Sequence, residues 1–267
     1  MIRFIGIIPA RYASTRFPGK PLVRLGDKAV IQHVYEKALT VLDEVYVATD
    51  DERIFSAVEA FGGKVVMTSP THPSGTDRVF EAATKVLGAS DVGICPEHSQ
   101  EDTVIINIQG DEPFIHKTQI MSLCECFEDA STQIATLAKP ITDAQVIFNP
   151  NSPKVVIDNN SFAMYFSRNP MPYNRNCDRE QWMDNAKAVG LNYHKHIGLY
   201  AYRMNVLAEI TRLPVSSLEQ VEKLEQLRWL QNGYRIKVAL TDTETIGIDT
   251  PEDLKRAEEF MKINIEK

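Results

Sequence analysis

A basic loop follows the first apolar run of the chain and is suited to binding phosphate. Arg11, Arg16 and Lys20 lie within ten residues of one another, after the apolar run 5–8, and the loop ends in a Pro-Gly-Lys-Pro turn. Guanidinium and ammonium groups bind phosphate oxygens through charge-assisted hydrogen bonds. The loop has neither the GxxxxGK[ST] spacing of a P-loop nor the GxGxxG of a dinucleotide fold, so side-chain charge and a few backbone amides must hold the phosphates. We therefore predict a nucleotide or polyphosphate site, the alternative being an ordinary basic surface loop.

Two aspartates at predicted loop positions are candidates for binding a metal ion beside those phosphates. Asp111 follows the apolar run 104–108, so a parallel strand would place it at the ligand-binding edge of a sheet. Asp249 precedes the last predicted helix, which Thr250 is placed to cap, with Asp253 three residues later. Capping therefore does not require Asp249, and carboxylate oxygens suit Mg²⁺ beside a triphosphate. The alternative for Asp111 is a simple turn residue, and spacing leaves open whether the two aspartates meet.

Two glycine-containing segments are expected to lie against the same ligand. Gly110 is predicted to let a ligand come close to the end of its strand. Residues 74–78 resemble a helix N-terminus with Ser74 or Thr76 as the cap, and such a terminus offers backbone amides to an anion. Arg78 would add a cation to that site.

A later strand carries polar side chains at alternate positions. His196, Gly198, Tyr200 and Tyr202 are predicted to share one face of the strand 196–202. A polar face of this kind can hold a sugar or an acid. The alternative is an outward-facing sheet surface.

A single helix is predicted over 218–231. The apolar residues that step by threes along its core-facing side are Leu218, Val221, Leu224 and Leu227. Glu225 and Arg228 are then expected on its flank, either as functional groups or as solvated charges.

The elements that position these residues alternate between strands and helices over the first half of the chain. The predicted strands are 44–49, 64–68 and 103–108, and the predicted helices are 29–42, 52–61, 76–87 and 118–129. This alternation is typical of an α/β fold with a parallel, doubly wound sheet. Further strands at 134–139, 154–157, 162–168 and 196–202 predict a mixed sheet or small lobe, and a helix at 252–263 closes the chain. Two polar stretches, 88–102 and 173–193, are predicted to be long loops, the second a possible flexible cover.

Composition narrows the class of protein. The chain has 267 residues, of which 43% are hydrophobic, so it can bury a full core. We expect a soluble, cytoplasmic protein, because no apolar stretch approaches the roughly 20 residues of a membrane helix and the N-terminus lacks the long apolar region of a signal peptide. A net charge of −7 argues against a broad nucleic-acid surface, so the basic loop is a local site. Cys95, Cys124, Cys126 and Cys177 form no CxxC pair and are predicted to be free thiols.

Together these motifs resemble those of the 3-deoxy-manno-octulosonate (Kdo) cytidylyltransferases, also called CMP-Kdo synthetases. The segments that carry the resemblance are, in order, 7–22, 48–50, 74–78, 109–113, 165–168, 196–200, 224–228 and 249–253. The resemblance implies a Rossmann-like nucleotidyltransferase fold, with a mostly parallel sheet and a smaller mixed-sheet lobe. It also implies one domain over 1–267, divided into a nucleotide-binding part (1–133), a sugar-binding and dimerisation part (134–245) and a returning C-terminal helix (246–267).

The resemblance further implies an activity and a set of site residues. CTP and Kdo would give CMP-Kdo and pyrophosphate for lipopolysaccharide inner-core assembly, in a cytoplasmic, Mg²⁺-dependent homodimer without nucleic-acid or membrane partners. The implied nucleotide-binding residues are Pro9, Ala10, Arg11, Arg16, Lys20, Ser74, Gly75 and Arg78. The implied sugar-binding residues are Gln109, Arg168, His196, Tyr200 and Glu225, with Arg175 near the sugar carboxylate or the triphosphate. Lys20, Asp111 and Asp249 would be catalytic, with the two aspartates carrying the metal.

Several alternatives stay open. The stretches 88–102 and 174–191 are longer or more polar than the family pattern, and an 8-amino Kdo analogue is a second candidate acceptor. A nucleotidyltransferase for sialic acid or a cofactor would share the first loop but not the pairing of 109–113 with 196–200. A glycosyltransferase would usually show an Asp-x-Asp triplet, and none follows a clear strand here. A catalytically inactive nucleotide-binding module would lack a metal carboxylate or a loop cation, and none is missing.

Overall fold

The protein is described from a computed structural model, and the residues described are 2–13, 16–88, 102–243 and 247–265. The strands in these ranges are β1 (Arg3–Ala10), β2 (Arg24–Leu25), β3 (Lys28–Ala29), β4 (Glu44–Thr49), β5 (Val65–Met67), β6 (Thr103–Asn107), β7 (Ile134–Pro140), β8 (Lys154–Ile157), β9 (Ala163–Ser167), β10 (His194–Arg203) and β11 (Ile236–Leu240). The helices are α1 (Val30–Leu39), α2 (Glu52–Ala60), α3 (Gly75–Val86), α4 (Lys117–Glu125), α5 (Ala144–Phe148), α6 (Trp182–Ala188), α7 (Met204–Ile210), α8 (Ser217–Glu222), α9 (Gln226–Gln231) and α10 (Pro251–Ile265).

The first of two compact units contains the described residues of 1–121, 203–211 and 244–267. Its main strands are parallel and stand in the order β6-β1-β4-β5. Ile5, Ile7 and Ile8 on β1 are fully buried, as expected for a strand covered on both faces. Because the strands are parallel, the segments that follow β1, β4, β5 and β6 emerge at the same edge of the sheet. The predicted parallel α/β architecture is confirmed.

The second unit contains the described residues of 122–202 and 212–243. β7 pairs in parallel with β11 and antiparallel with β10, while β8 pairs antiparallel with β10 and β9. The mixed sheet predicted for this half of the chain is confirmed. The two units divide the chain differently from the predicted parts 1–133 and 134–245, since residues 122–133 belong to the second unit and residues 203–211 belong to the first.

The predicted single helix over 218–231 is wrong, because the chain forms α8 and α9 there. Lys223 ends α8 in the left-handed conformation, with a φ of 54°, which breaks the helical path. Val221, predicted to face the core, is 83% exposed. Arg228, predicted on the flank, is buried and forms an ion pair with Glu219 at 2.6 Å.

The prediction of an irregular loop over 173–193 is also wrong in part, because α6 lies within it. Trp182 begins α6 and is 4% exposed. Its ring centroid lies 5.1 Å from that of Tyr173 and 6.3 Å from that of Tyr193. A helix of seven residues is too short for its periodicity to be recognised in the sequence. Of the other predicted loop, residues 89–101 lie outside the described residues.

The remaining general predictions concern membrane segments and thiols. No helix among the described residues has both the length and the apolar character needed to cross a membrane. Cys124, Cys126 and Cys177 are free thiols, as predicted, while Cys95 lies outside the described residues. The elements without a counterpart among the predicted ones are β2, β3, β11, α5 and α7.

Candidate active site

A polar cavity of about 310 Å³ lies at the carboxyl edge of the parallel strands in the first unit. Its wall is formed by the ends of β1 and β6, the basic loop, the N-terminus of α3 and Asp249. The lining residues are Pro9, Ala10, Arg11, Arg16, Lys20, Pro21, His72, Pro73, Ser74, Gly75, Arg78, Gln109, Gly110, Asp111 and Asp249. The structure therefore brings together all the predicted nucleotide-binding and metal-binding residues, with Gln109 beside them. Their individual roles stay predictions.

The two candidate metal-binding aspartates meet at this cavity. The backbone N–H of Ile248 donates to the backbone oxygen of Asp111 at 2.8 Å, which holds their two segments together. The ammonium group of Lys20 donates to the carboxylates of Asp111 and Asp249, the latter at 2.9 Å. Arg16 donates to the other oxygen of Asp249 at 3.0 Å. One ammonium group thus contacts both carboxylates.

Asp249 is available to the cavity because its neighbours cap the helix. The N–H of Asp253 donates to the hydroxyl oxygen of Thr250 at 3.2 Å, and the N–H of Thr250 donates back to the Asp253 carboxylate at 2.9 Å. This reciprocal pair has the arrangement of a capping box. Ile248 is fully buried in an apolar cluster with Leu25, which anchors the start of α10. The predicted separation of roles between Asp249 and Thr250 is therefore present in the structure.

The carboxylates of Asp111 and Asp249, which lie beside Lys20, are a donor set that suits a magnesium ion bound with phosphates. Burial lowers the pKa of the Lys20 ammonium group, but Asp111 and Asp249 outweigh that effect and raise the pKa above its ordinary value. The Asp111 and Asp249 side chains are 24% and 43% exposed, so a ligand can reach both. Mg²⁺ commonly uses one or two carboxylates and completes its shell with phosphate and water oxygens. No cluster of three or more metal-binding side chains occurs in the part of the chain that the structure describes.

A glycine fixes the shape of the basic loop. Gly19 has a φ of +72°, and its N–H donates to the backbone oxygen of Tyr12 at 2.9 Å. A Cβ atom at this position would lie 3.0 Å from the Tyr12 ring, so a larger residue would strain the backbone and press on the ring. The turn continues into a 3₁₀ helix over Lys20–Leu22. The conformation of Gly19 therefore helps to position Lys20.

The N-terminus of α3 forms another wall of the cavity. Ser74 is the N-cap, with its hydroxyl oxygen accepting from the N–H of Asp77 at 3.2 Å. Arg78 is 5% exposed, donates to the hydroxyl oxygen of Thr68 at 2.6 Å and lies 3.2 Å from the Asp50 carboxylate. Of the two predicted caps, the structure uses Ser74.

Gly110 has a packing role in addition to the ligand contact predicted for it. A Cβ atom at Gly110 would lie 2.9 Å from the backbone oxygen of Pro9 and 3.4 Å from the side chain of Ile31. The absence of a side chain therefore lets the segment after β6 pack closely on β1, and the expected reason, ligand approach, is not needed to explain the glycine. Gln109 lies beside it, and its amide is 3.5 Å from the side-chain oxygen of Asn107.

In the second unit, His196 and Tyr200 lie on one face of β10, and their ring centroids are 5.4 Å apart. Each is 8% exposed, so the alternative of an outward-facing surface is wrong. The Nε2 atom of His196 lies 3.1 Å from the hydroxyl oxygen of Thr136. Burial lowers the pKa of His196 to about 3, so its imidazole is neutral at neutral pH. The Tyr200 hydroxyl is buried and meets no hydrogen-bond partner of good geometry among the described residues.

Arg168, a predicted sugar-binding residue, is bonded to the protein backbone. Its guanidinium donates to the backbone oxygens of Glu222 at 2.7 Å, Pro150 at 3.0 Å and Lys223 at 3.3 Å. Its own N–H donates to the Glu222 carboxylate at 2.9 Å, and Lys154 donates to its backbone oxygen at 2.6 Å. These contacts hold Arg168 in place, and its role in binding a sugar stays a prediction.

Glu225 and Arg175 are the other two candidates of the second unit. Glu225 is half-buried and directly precedes α9. Arg175 is exposed, in the segment before α6. Their sugar-binding roles also stay predictions.

Comparison with known proteins identifies the family. A sequence model described as cytidylyltransferase matches residues 5–237. The chain is 60% identical over 264 residues to the 3-deoxy-manno-octulosonate cytidylyltransferase of Bacteroides thetaiotaomicron, covering 98% of this chain and 99% of that relative. The chain belongs to this family. It is therefore a nucleotidyltransferase, as the order of its motifs predicted.

Two further members and one distant structure extend the comparison. A relative from Shewanella baltica is named 8-amino-3,8-dideoxy-manno-octulosonate cytidylyltransferase. It is 42% identical to this chain, and the match covers 97% of this chain and 98% of the relative. The solved structure of a CMP:2-keto-3-deoxy-manno-octonic acid synthetase complexed with CTP is 40% identical, with a TM-score of 0.84 and coverage of 98% and 99%. The 4-diphosphocytidyl-2C-methyl-D-erythritol synthase of Anaerococcus prevotii is 13% identical with a TM-score of 0.56, which shows a shared fold alone.

In this cytidylyltransferase, one segment of the cavity wall and one residue next to it were not predicted from the sequence. His72 and Pro73 line the cavity, in the segment between β5 and α3. Asp50, which follows β4, does not line the cavity and lies 3.2 Å from the Arg78 guanidinium. Their position in the sequence could have indicated this location. Asp50 follows β4 and residues 72–73 lie in the segment after β5, and segments that follow parallel strands lie at the ligand-binding edge of the sheet.

Proposed function

We propose that this chain transfers CMP from CTP to the anomeric 2-hydroxyl group of Kdo and releases pyrophosphate. The observation that supports this most directly is the convergence of Lys20, Asp111 and Asp249 at one cavity. These groups suit an attack on the α-phosphorus of a metal-bound triphosphate. The names of the relatives, which the chain matches over nearly its full length, support the choice of nucleotide and sugar.

Charge repulsion is the main obstacle, because Kdo carries a carboxylate and CTP carries a triphosphate. Arg11, Arg16 and Lys20 line the cavity and can offset that repulsion. The Lys20 side chain is 18% exposed and that of Arg16 is 65% exposed. Fixed charges are most effective where water is partly excluded. We therefore assign Lys20 to the departing pyrophosphate and the arginines to binding the phosphates.

The bond changes in this reaction are simple. The 2-hydroxyl oxygen bonds to the α-phosphorus while the bond from that phosphorus to the oxygen bridging to the β-phosphorus breaks. Pyrophosphate leaves with the bonding electrons, and the hydroxyl proton passes to solvent. The cavity side chains contribute by holding the reacting groups in line and by stabilising the negative charge that develops.

We assign Mg²⁺ to Asp111 and Asp249, whose oxygens suit it. When bound, the ion would lower the pKa of the attacking hydroxyl and neutralise phosphate charge. No dedicated general base is then required among the side chains. Lys20, which contacts both carboxylates, would hold them close together in the absence of nucleotide.

For the sugar we propose Gln109, His196, Tyr200 and Glu225, on the basis of the family resemblance. The neutral imidazole of His196 and the buried Tyr200 hydroxyl can exchange hydrogen bonds with sugar oxygens without adding charge. The same resemblance is the basis for proposing a cytoplasmic homodimer that supplies lipopolysaccharide inner-core assembly.

The test is pyrophosphate release from CTP, UTP, ATP and GTP with Mg²⁺, each with Kdo, with sialic acid and without an acceptor. Release chiefly with CTP and Kdo is expected. Release only with sialic acid, or with no acceptor, would contradict the proposal. An additional arm with 8-amino-3,8-dideoxy-manno-octulosonate separates the two sugars that the relatives' names contain.

A further inference from the structure

We propose that Glu81 is a positioning residue for nucleotide binding, which holds the segment 69–73 as a wall of the cavity. Glu81 lies inside α3 and does not line the cavity itself. It acts through His72, which does. The inference rests on the proposed use of this cavity for CTP, and it assigns a task to a residue outside the family motifs described above.

One carboxylate gathers three partners around that segment. The N–H of Ser69 donates to Glu81 Oε2 at 2.8 Å, and His72 Nε2 forms a short hydrogen bond to the same oxygen. Lys85, one turn further along α3, contacts Glu81 Oε1 at 2.7 Å. Because a carboxylate only accepts hydrogen bonds, His72 Nε2 must carry the proton and donate it. The tautomer and orientation of His72 therefore follow from Glu81.

The charge state of Glu81 agrees with this geometry. Partial burial raises the pKa of its carboxyl group, but the bonds from Lys85, Ser69 and His72 outweigh burial and lower the pKa to about 2. Glu81 is consequently ionised at neutral pH. The Glu81 side chain is 24% exposed and that of His72 is 20% exposed, so the hydrogen bond between them is partly shielded from water.

Each end of the segment between β5 and α3 has an anchor that does not involve Glu81. Arg78 holds Thr68 at the start of the segment, and Ser74 caps α3 at its end. Between these points, Glu81 provides the side-chain contacts to Ser69 and His72 described above. Removing its charge should therefore free the middle of the segment without releasing its ends.

This arrangement predicts which property of the enzyme depends on Glu81. An ordered segment binds without the entropic cost of being immobilised by the ligand. A freed segment must be ordered by CTP, so the affinity for CTP falls. The groups that stabilise the departing pyrophosphate are elsewhere in the cavity, so kcat and the KM for Kdo should change little.

The experiment compares Glu81→Gln and Glu81→Ala with the unaltered chain by calorimetric titration of CTP in the presence of Mg²⁺. The Gln variant keeps the size and one acceptor for Ser69 but loses the charge. We expect the Kd for CTP to rise about fivefold in Glu81→Gln and about tenfold or more in Glu81→Ala, tenfold being about 1.4 kcal/mol. Glu59→Gln, which removes an exposed carboxylate from α2, is the matched control and should leave Kd unchanged.

A double-mutant cycle with His72→Ala tests whether Glu81 acts through the imidazole. The combined variant should lose less CTP affinity than the two single changes added together. A Kd within twofold of the unaltered chain in folded Glu81→Ala would overturn the proposal. So would an equal rise in the KM for Kdo together with a lower melting temperature, since that pattern reports a general structural role. Because Kd is measured without turnover, absence of Kdo-dependent pyrophosphate release would contradict the proposed function and leave this test intact.

Discussion

The two units treat their polar candidate residues differently. In the first unit, Lys20, Asp111 and Asp249 face a cavity with side chains between 18% and 43% exposed. In the second unit, His196 is packed among aromatic rings and Arg168 is bonded to backbone oxygens. The first group can bind a ligand by exchanging partners at a surface. The second group is already part of the packed structure.

The position of each group in its sheet explains the difference. Lys20 and Asp111 lie in segments that follow parallel strands and Asp249 directly precedes α10, so side chains from separate segments converge without being fully buried. His196 lies within a strand, where neighbouring rings cover it, and a buried polar group must then find partners in the protein. The comparison predicts that changes at Lys20, Asp111 and Asp249 affect catalysis with little effect on stability, and that changes at His196 and Arg168 lower stability whether or not they also affect Kdo binding.

The largest effect is expected from the two aspartates. Asp111→Asn and Asp249→Asn keep the size of the side chain and remove its charge, so each should lower kcat about 100-fold or more at saturating Mg²⁺. Pyrophosphate release with CTP and Kdo is the measurement. Asp43→Asn, at an exposed position of the same unit, is the control. A folded variant with nearly normal kcat would remove that aspartate from the proposed metal site.

Lys20→Met should have the next largest effect. It removes the ammonium group that we assign to the leaving pyrophosphate, so kcat should fall about 10- to 100-fold. Steady-state kinetics with varied CTP distinguish this role from simple binding. An increase in KM with unchanged kcat would show that Lys20 binds substrate and transition state equally.

Arg168→Met sharpens the comparison in the second unit. Loss of the guanidinium bonds to three backbone oxygens should lower the free energy of unfolding by about 2 kcal/mol, measured in urea. Arg212→Met changes an exposed arginine of the same unit and serves as the control. Unchanged stability with a KM for Kdo raised tenfold or more would instead make Arg168 a direct sugar ligand.

The smallest effect on stability is expected at His196, as a pH dependence. Its folded-state pKa of about 3 is below the ordinary 6.5, so the unfolded chain binds the extra proton between these values. The stability contributed by the neutral imidazole is present above about pH 6.5 and is lost as the pH falls toward 3. His196→Gln should therefore remove about 1 kcal/mol of the decrease in unfolding free energy between pH 7 and pH 5.5.

The measurement is urea unfolding of both chains at the two pH values. A His196 imidazole signal that titrates near pH 6.5 in nuclear magnetic resonance spectra would contradict the expectation. It would place the group in contact with water and bring the second unit closer in character to the first.

Local patterns predicted much of the fold. The limits of β4 and β8 agree with the sequence patterns, because a strand's apolar run is bounded by its own polar neighbours. The helix over 218–231 was wrong because an apolar residue at every third position also fits two short helices joined by a left-handed residue. Lys223 carries no sequence signal for that conformation, which glycine or asparagine usually adopts. The helix α6 was missed because seven residues contain too few turns to show a period.

The sequence by itself determined which residues can act at the site. It placed the basic loop and Asp111 after strands, and it left Asp249 free of capping, since each of these properties depends on near neighbours along the chain. Only the tertiary structure decided that Asp111 and Asp249 meet, through the bond from Ile248 and the shared contact with Lys20. The same holds for the partners of Arg168, which lie up to 55 residues away. Such contacts depend on how distant segments pack, and spacing within a segment does not encode them.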